Sequence, residues 1–374
     1  MKIVHAEVFS EDGTFEQREI AMQNGLFVSV EDAEEEEILD ASGLYAVPGL
    51  IDIHFHGGVG YDFCDGTVEA FDAILNYEAS QGVTAVCPAT MTLDERTLER
   101  VFSLAGVYRN SQGAALAGIT MEGPFVSASK KGAQNEAYIR RPDTGMYRKM
   151  QKLSNGKILQ VAVAPEEDQE FRFAKELNQE VVISVAHTCC DYETARQAFQ
   201  NGYSHVTHLY NAMNGFGHRE PGVVGAACDA ENVYVELICD GIHIHPSAVR
   251  TTFKMFGKDR VCMISDSMMA AGMPDGTYAL GGQEVFMKGR KATLSDGTIA
   301  GSASSLMECL RTAVKEMGIP LETALMACTV NSAKSLHIEK MHGSIREGKY
   351  ADLVLLDHDL NVVKVFLKGK EYTG

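Results

Sequence analysis

The chain of 374 residues is long enough for one large α/β domain of roughly 250 to 300 residues plus a smaller satellite. Its apolar share of 45% and charged share of 22% are those of an ordinary soluble globular protein, and no apolar run reaches the roughly 18 residues of a membrane span, which argues against extensive disorder and membrane insertion. A net charge of −18 argues against nucleic acid or an anionic membrane as a partner, and against long-range steering of an anionic substrate, so any anion must be held by a few local donors.

In chain order, "MKIVHAEVFSEDG" lacks the long apolar stretch of a signal peptide and reads as a first strand. Residues 1–47 continue with short alternating strands, interrupted by the acidic run "EDAEEEE" at 31–37, which reads as a solvated loop. From about residue 48 to 335 apolar strand-like runs alternate with amphipathic helix-like segments. The strand candidates are "YAVPGLIDIHF", "VTAVCPAT", "ALAGITMEG", "ILQVAVAPE", "EVVISVAH", "SHVTHLYN", "VYVELICDG" and "RVCMISDS", with helix-like stretches such as "VEAFDAILNYEASQG" and "DYETARQAFQNG" between them. Eight such units favour a closed (β/α)8 TIM-type barrel over a doubly wound sheet. Residues 275–298 look like a β-hairpin insertion after the last strand, and 336–374 return to short strands such as "ADLVLLD" and "VVKVFLKGKEY". The expected organisation is a barrel over 48–335 and a small β-sandwich built from 1–47 and 336–374. The nine cysteines form no CxxC pair, and several lie in apolar runs; they read as reduced packing residues of a cytoplasmic protein, Cys189 and Cys190 included.

Side chains at the carboxyl ends of barrel strands converge on one mouth. Those ends carry His54 and His56 on the first strand, Glu122 on the third, His187 on the fifth, His208 on the sixth, His243 just past the seventh and Asp266 on the eighth. Strand side chains alternate with period two, so His54 and His56 share a face, and in a barrel that face points inward. An HxH pair alone is weak, because a buried histidine can be satisfied by a backbone carbonyl. Taken together, four strand-end imidazoles and two carboxylates facing one cavity would be costly to desolvate unless a divalent cation paired them. Glu122 has the alternative reading of a capping or salt-bridging acid, Asp266 that of a helix N-cap, and His243 and Arg219 that of loop decoration.

The segments "PGLIDIHFHG", "MEGPF", "AHT", "THLYNAM", "DGIHIHP" and "ISDS", in this order, resemble the amidohydrolase superfamily and, more narrowly, the N-acetylglucosamine-6-phosphate deacetylase family within it. The resemblance implies metal-dependent hydrolysis of the acetamide of N-acetyl-D-glucosamine 6-phosphate, with Glu122, His187 and His208 as ligands of one metal. His54 and His56 then imply a second metal, Glu122 bridging the two, and Asp266 matches the catalytic aspartate and further metal ligand. Asn211 and Ala212 match positions that contact the sugar phosphate, and Arg219 and His243 match its phosphate-binding residues. That arginine reaches in from the neighbouring subunit, so a homodimer is implied. Gln134 stands where some relatives have a histidine that contacts the substrate carbonyl. Imidazole and carboxylate ligands suit Zn, Fe, Mn or Co. Three rival readings stand beside this one: the galacto epimer as substrate, a dihydropyrimidinase or deaminase, which often bridge their metals with a modified lysine, and a non-catalytic scaffold. No strand-end lysine is visible, which weighs against the second.

Overall fold

The structure, a computed structural model, describes residues 1–31, 33, 37–110 and 112–374, so most of the acidic run at 31–37 lies outside the described residues. Each of the eight expected runs contains strand, two of them divided between sheets. Leu50–Asp52 pairs in parallel with Val83–Val86, which pairs in parallel with Ala115–Leu116. Ile119–Met121 continues that third run and opens a second parallel sheet with Ile158–Val163, Val182–Val185, Tyr203–Val206, Tyr234–Ile238 and Val261–Ile264, neighbours in space following neighbours in sequence. Between successive strands run the helices Val68–Ser80, Glu95–Val107, Thr144–Leu153, Arg172–Leu177, Tyr192–Gln200, Gly222–Asp229 and Pro246–Phe256, and Leu306–Lys315 follows the last. Several begin where an oxygen-bearing side chain accepts an otherwise orphaned N–H, as Thr67 does from Ala70, Asp94 from Thr97 and Asp191 from Thr194.

The two parallel sheets curl toward each other at both edges. On one side Thr90 N donates to Thr120 O and Thr120 N to Pro88 O, each at 3.0 Å. On the other, Asp266 N donates to His54 O at 3.0 Å and His56 N to Ser267 O at 2.6 Å. These bonds bring the ends of the first and last strands side by side, which is what the site requires.

Both termini supply strands to the remaining sheets. One is ordered Leu26–Val28, Ile20–Gln23, Lys2–Val4, Ile38–Asp40; the other runs Lys370–Glu371, Val362–Leu367, Leu353–Leu356, Tyr45–Pro48, Glu7–Phe9, Phe15–Gln17. They share a core of residues such as Ile3, Val8, Phe27, Ala46, Leu355 and Phe366.

Two expectations need correction. "YAVPGLIDIHF" is not one strand: Tyr45–Pro48 pairs with Leu353–Leu356 in the terminal sheet, and only Leu50–Asp52 enters the parallel sheet. The break falls where Pro48 lacks an N–H for the ladder and where a Cβ on Gly49 would lie 2.0 Å from Thr84 Oγ1, so the chain can pass only as glycine. The insertion at 275–298 is three antiparallel strands, Gly276–Leu280, Gln283–Lys288 and Lys291–Thr293, because "KGR" supplies a second turn after the first at Gly281 and Gly282.

Candidate metal centre

Each strand-end candidate sits within a few residues of where its strand stops, and the backbone there is bent sharply. His187, His208 and Asp266 have φ of 43°, 28° and 49°, left-handed values that cost a non-glycine residue of the order of 1–3 kcal/mol each. The turn redirects these side chains from the strand faces into the mouth. At the first strand the regular ladder ends at Asp52 and His54 lies in a bend. Ile51 and Ile53 pack in a cluster with Cys87, Ile238, Cys262 and Ile264, while Asp52 looks toward the helix Val68–Ser80. Unbroken alternation would therefore have put His54 on the helix side with Asp52. The two histidines do converge, with ring centroids 5.5 Å apart, but the bend brings them together and not strand periodicity.

Glu122 is the hub. Its Oε1 lies 3.1 Å from His187 Nε2, 3.0 Å from His208 Nε2 and 3.5 Å from His54 Nε2; its Oε2 lies 3.5 Å from His56 Nε2 and accepts from Gln134 Nε2 at 2.7 Å. Asp266 Oδ1 is 3.4 Å from His56 Nε2 and 3.8 Å from His54 Nε2. All six are buried. Burial alone would push the Glu122 carboxyl up, but the surrounding imidazoles of His54, His187 and His208 hold it well below the usual carboxylate range. Asp266 is likewise held low against its burial, chiefly by His56 and His54. The imidazoles respond in the opposite sense: burial disfavours their charged forms, yet Glu236 and Glu122 hold His54 well up, and Asp266 and Glu122 raise His56.

The donor set fits a divalent cation. His54, His56 and Asp266 offer ligand atoms all within 4.8 Å of one another, and so do His54, Glu122 and His208. His54 Nε2 and Asp266 Oδ1 are buried and have no hydrogen-bond partner among the described residues, which is costly for two polar atoms aimed at one point. Imidazole nitrogens mixed with carboxylate oxygens are ligands for borderline first-row metals.

His56, Glu122, His187, His208 and Asp266 form the floor of a cleft of about 400 Å³, with His54 wholly buried and outside its lining, and its walls include Gln134, Asn211, Ala212, His243 and Lys130. A larger hollow of about 690 Å³ near Tyr192 and Arg196 holds none of these groups. Gln134 is anchored at both ends, its Oε1 accepting from Thr92 N at 2.6 Å and its amide donating to Glu122, which holds it against the hub. Asn211 donates from Nδ2 to His208 O at 3.2 Å, so the "YNAM" turn is tied to a site histidine. His243 Nδ1 is 2.7 Å from Asp240 Oδ2, and Asp240, outweighing burial, raises the imidazole. Arg219 is exposed on the loop between Asn214 and Pro221 and does not line the cleft of its own chain. Cys189 is exposed, against the packing role expected of it, because it caps the loop beyond His187, whereas Cys190 is buried. All nine cysteines are free thiols.

Sequence reasoning missed Glu236, Asp240 and Lys130. Glu236 is wholly buried in Tyr234–Ile238 and lies 3.0 Å from His54 Nδ1. An acid amid the apolar residues of "VYVELI" carries the same desolvation signal that picked out Asp266, but it lies in the strand and not at its end.

Parallel strands that deliver imidazoles and carboxylates to one mouth define the class of α/β proteins that hold divalent cations at their strand ends. Residues 45–372 match the Amidohydrolase family, and the chain belongs to it. It is similar to the N-acetylglucosamine-6-phosphate deacetylase of Bacillus subtilis (strain 168), 39% identical over 86% of this chain and 83% of the relative. It is also similar to an N-acetylgalactosamine-6-phosphate deacetylase of Escherichia coli O157:H7, 30% identical over 97% of each. Among solved structures, the N-acetyl-D-glucosamine-6-phosphate deacetylase of Mycobacterium smegmatis superposes with a TM-score of 0.92 at 30% identity, covering 100% of both chains.

Proposed function

We propose that this chain hydrolyses the acetamide of N-acetyl-D-glucosamine 6-phosphate, giving D-glucosamine 6-phosphate and acetate. The observation that carries the reading is the convergence of four imidazoles on Glu122 beside Asp266, at the floor of a cleft large enough for a sugar phosphate. The names of the relatives set the substrate.

His54, His56, Glu122, His187, His208 and Asp266 would hold one or two divalent ions per chain, zinc first among Zn, Fe, Mn and Co. Such an ion, when bound, polarises the amide carbonyl and makes water acidic enough to supply a nucleophile near neutral pH. Asp266 Oδ1, buried and unpartnered, is placed to take a proton from the attacking water and to deliver it to the departing sugar nitrogen. Gln134 braces Glu122, and its amide, whose other hydrogen meets only the weak acceptor Met91 Sδ at 3.7 Å, stands on the cleft wall where the substrate carbonyl would lie. Asn211, Ala212 and His243 wall the cleft where the sugar phosphate would lie, with Asp240 favouring the charged form of the His243 ring.

Several features support the wider reading. The backbone bonds at both sheet edges support a closed (β/α)8 barrel over 48–335, and the shared core of the terminal sheets supports a β-sandwich built from 1–47 and 336–374. The exposure of Arg219 outside its own cleft supports a homodimer in which it serves the neighbouring site. No helix among the described residues is long and apolar enough to cross a membrane, and the free thiols support a reducing, cytoplasmic setting.

The test is metal analysis of the purified protein together with acetate release from the gluco and galacto phosphates and from both unphosphorylated sugars. Fastest release from the gluco phosphate is expected. Fastest release from the galacto epimer would move the assignment to the activity named for the Escherichia coli relative, and no release by metal-loaded protein would end it.

A further inference from the structure

Glu236 does not line the cleft, yet its carboxylate is the best-furnished buried group behind it. Oε2 lies 3.0 Å from His54 Nδ1 and accepts the backbone N–H of His208 at 3.0 Å. Oε1 lies 3.2 Å from His205 Nε2 and accepts from Gln160 Nε2 at 2.8 Å. The carboxylate is thus hydrogen-bonded by two N–H groups, while two imidazole nitrogens, His54 Nδ1 and His205 Nε2, lie within ion-pair distance of it without an aligned hydrogen bond.

The four site imidazoles differ in what stands behind them. His56 Nδ1 faces the carbonyl oxygen of Ala89 at 3.3 Å and His187 Nδ1 that of Lys130 at 2.9 Å, while His208 Nδ1 has no partner among the described residues. His54 alone among them has a carboxylate behind it. With the ring hydrogen drawn to Nδ1, the Nε2 lone pair is left facing Glu122 and Asp266. The oxygen that faces His54 also takes the N–H of His208, whose φ of 28° needs an outside restraint. One oxygen thus spans the side chain of one candidate ligand and the backbone of another.

We propose that Glu236 is a positioning residue for the cation site: it sets the tautomer and direction of the His54 ring and pins the strained turn at His208, and thereby tightens the hold on the ion that His54 takes. This rests on the reading of the site as a cation site. A buried carboxylate so surrounded could instead serve the fold alone, and His205 separates the two roles. Its Nε2 lies 3.2 Å from the same carboxylate at the same depth, but it touches none of the candidate ligands' rings in the way Glu236 does.

The experiment is competition for Zn²⁺ between the loaded protein and a graded chelator, with zinc content read for the parent, Glu236→Gln, Glu236→Asp and His205→Gln, and thermal denaturation run alongside. Glu236→Gln should lower the affinity of the more weakly held ion about 10- to 100-fold, the range for loss of a group that orients a ligating histidine. Glu236→Asp should fall between it and the parent, and His205→Gln should keep parental affinity even where its melting temperature drops. Should Glu236→Gln fail to fold, the aspartate variant carries the comparison, and ¹⁵N spectra of histidine-labelled, zinc-loaded parent must place the His54 hydrogen on Nδ1. Parental zinc affinity in both Glu236 variants, an equal loss in His205→Gln, or a His54 hydrogen on Nε2 overturns the proposal. A parent that takes up no ion removes the cation reading itself, and this inference with it.

Discussion

Asp266 shows how a single residue acquires its chemistry from its position. It follows the strand Val261–Ile264 on a left-handed turn, its Oδ1 3.4 Å from His56 and 3.8 Å from His54, and the imidazoles outweigh burial to keep it below the usual carboxylate range. A group that must take a proton from water needs to be anionic at the start, and here it is. Asp266→Asn keeps the shape and one oxygen but cannot carry the proton. With the sites saturated by added metal, its turnover should fall by about 10² to 10⁴ while KM stays near the parent's, measured by acetate release with metal loading checked by elemental analysis. Full turnover in that variant would remove Asp266 from the mechanism. The ligand candidates were legible in the sequence because each is a polar residue closing an apolar strand run. Glu236 was not, since nothing in a linear reading says that position 236 faces His54 and position 237 does not. The bend at His54 was hidden for the same reason: backbone turns of one residue leave no trace in hydrophobic periodicity.

At the scale of elements, the helix Val68–Ser80 buries Phe71, Ile74, Leu75, Glu78 and Ala79, the i, i+3, i+4, i+7, i+8 stripe of an amphipathic helix, with an acid at one of its apolar positions. Neither Glu78 oxygen has a hydrogen-bond partner among the described residues, and the nearest charge is Asp52 on the adjoining strand. Burial pushes Asp52 up to about 7, and burial together with the neighbouring Asp52 charge pushes Glu78 well above its ordinary value. Both are raised above their unfolded values, so their contribution is fully present below about pH 4 and lost as pH rises through 7. Glu78→Met keeps the length and removes the charge. It should raise the melting temperature, and raise it more at pH 8.5 than at pH 5; a smaller gain at the higher pH would contradict the assignment. The order of the strands and helices was readable from alternation of apolar runs, because each βα unit repeats the same pattern. Two boundaries were not: the break at Pro48 and Gly49 depends on Thr84, a residue of another strand, and the third strand of the insertion depends on pairing across a turn.

For the whole molecule, a net charge of −18 means that a phosphorylated sugar is repelled at distance and must be captured at short range, where screening leaves mainly direct contacts. His243 and Lys130 stand in the cleft, but Arg219 stands exposed on a loop outside it. An arginine offers the bidentate fork that suits a phosphate, and in the proposed homodimer it would enter the neighbour's cleft. That arrangement makes each site depend on two chains, which can be separated genetically. Arg219→Ala alone should raise KM for the phosphorylated sugar while leaving hydrolysis of the unphosphorylated one unchanged. Chains bearing only Arg219→Ala and chains bearing only Asp266→Asn, co-expressed with different tags, would pair at random. In each mixed dimer the Asp266-bearing site receives an arginine from its partner and the other site is dead. Half the dimers are mixed, so such a sample should recover about a quarter of parental activity, well above either variant alone. Activity no greater than the average of the two separate variants would show that Arg219 acts, if at all, within its own chain.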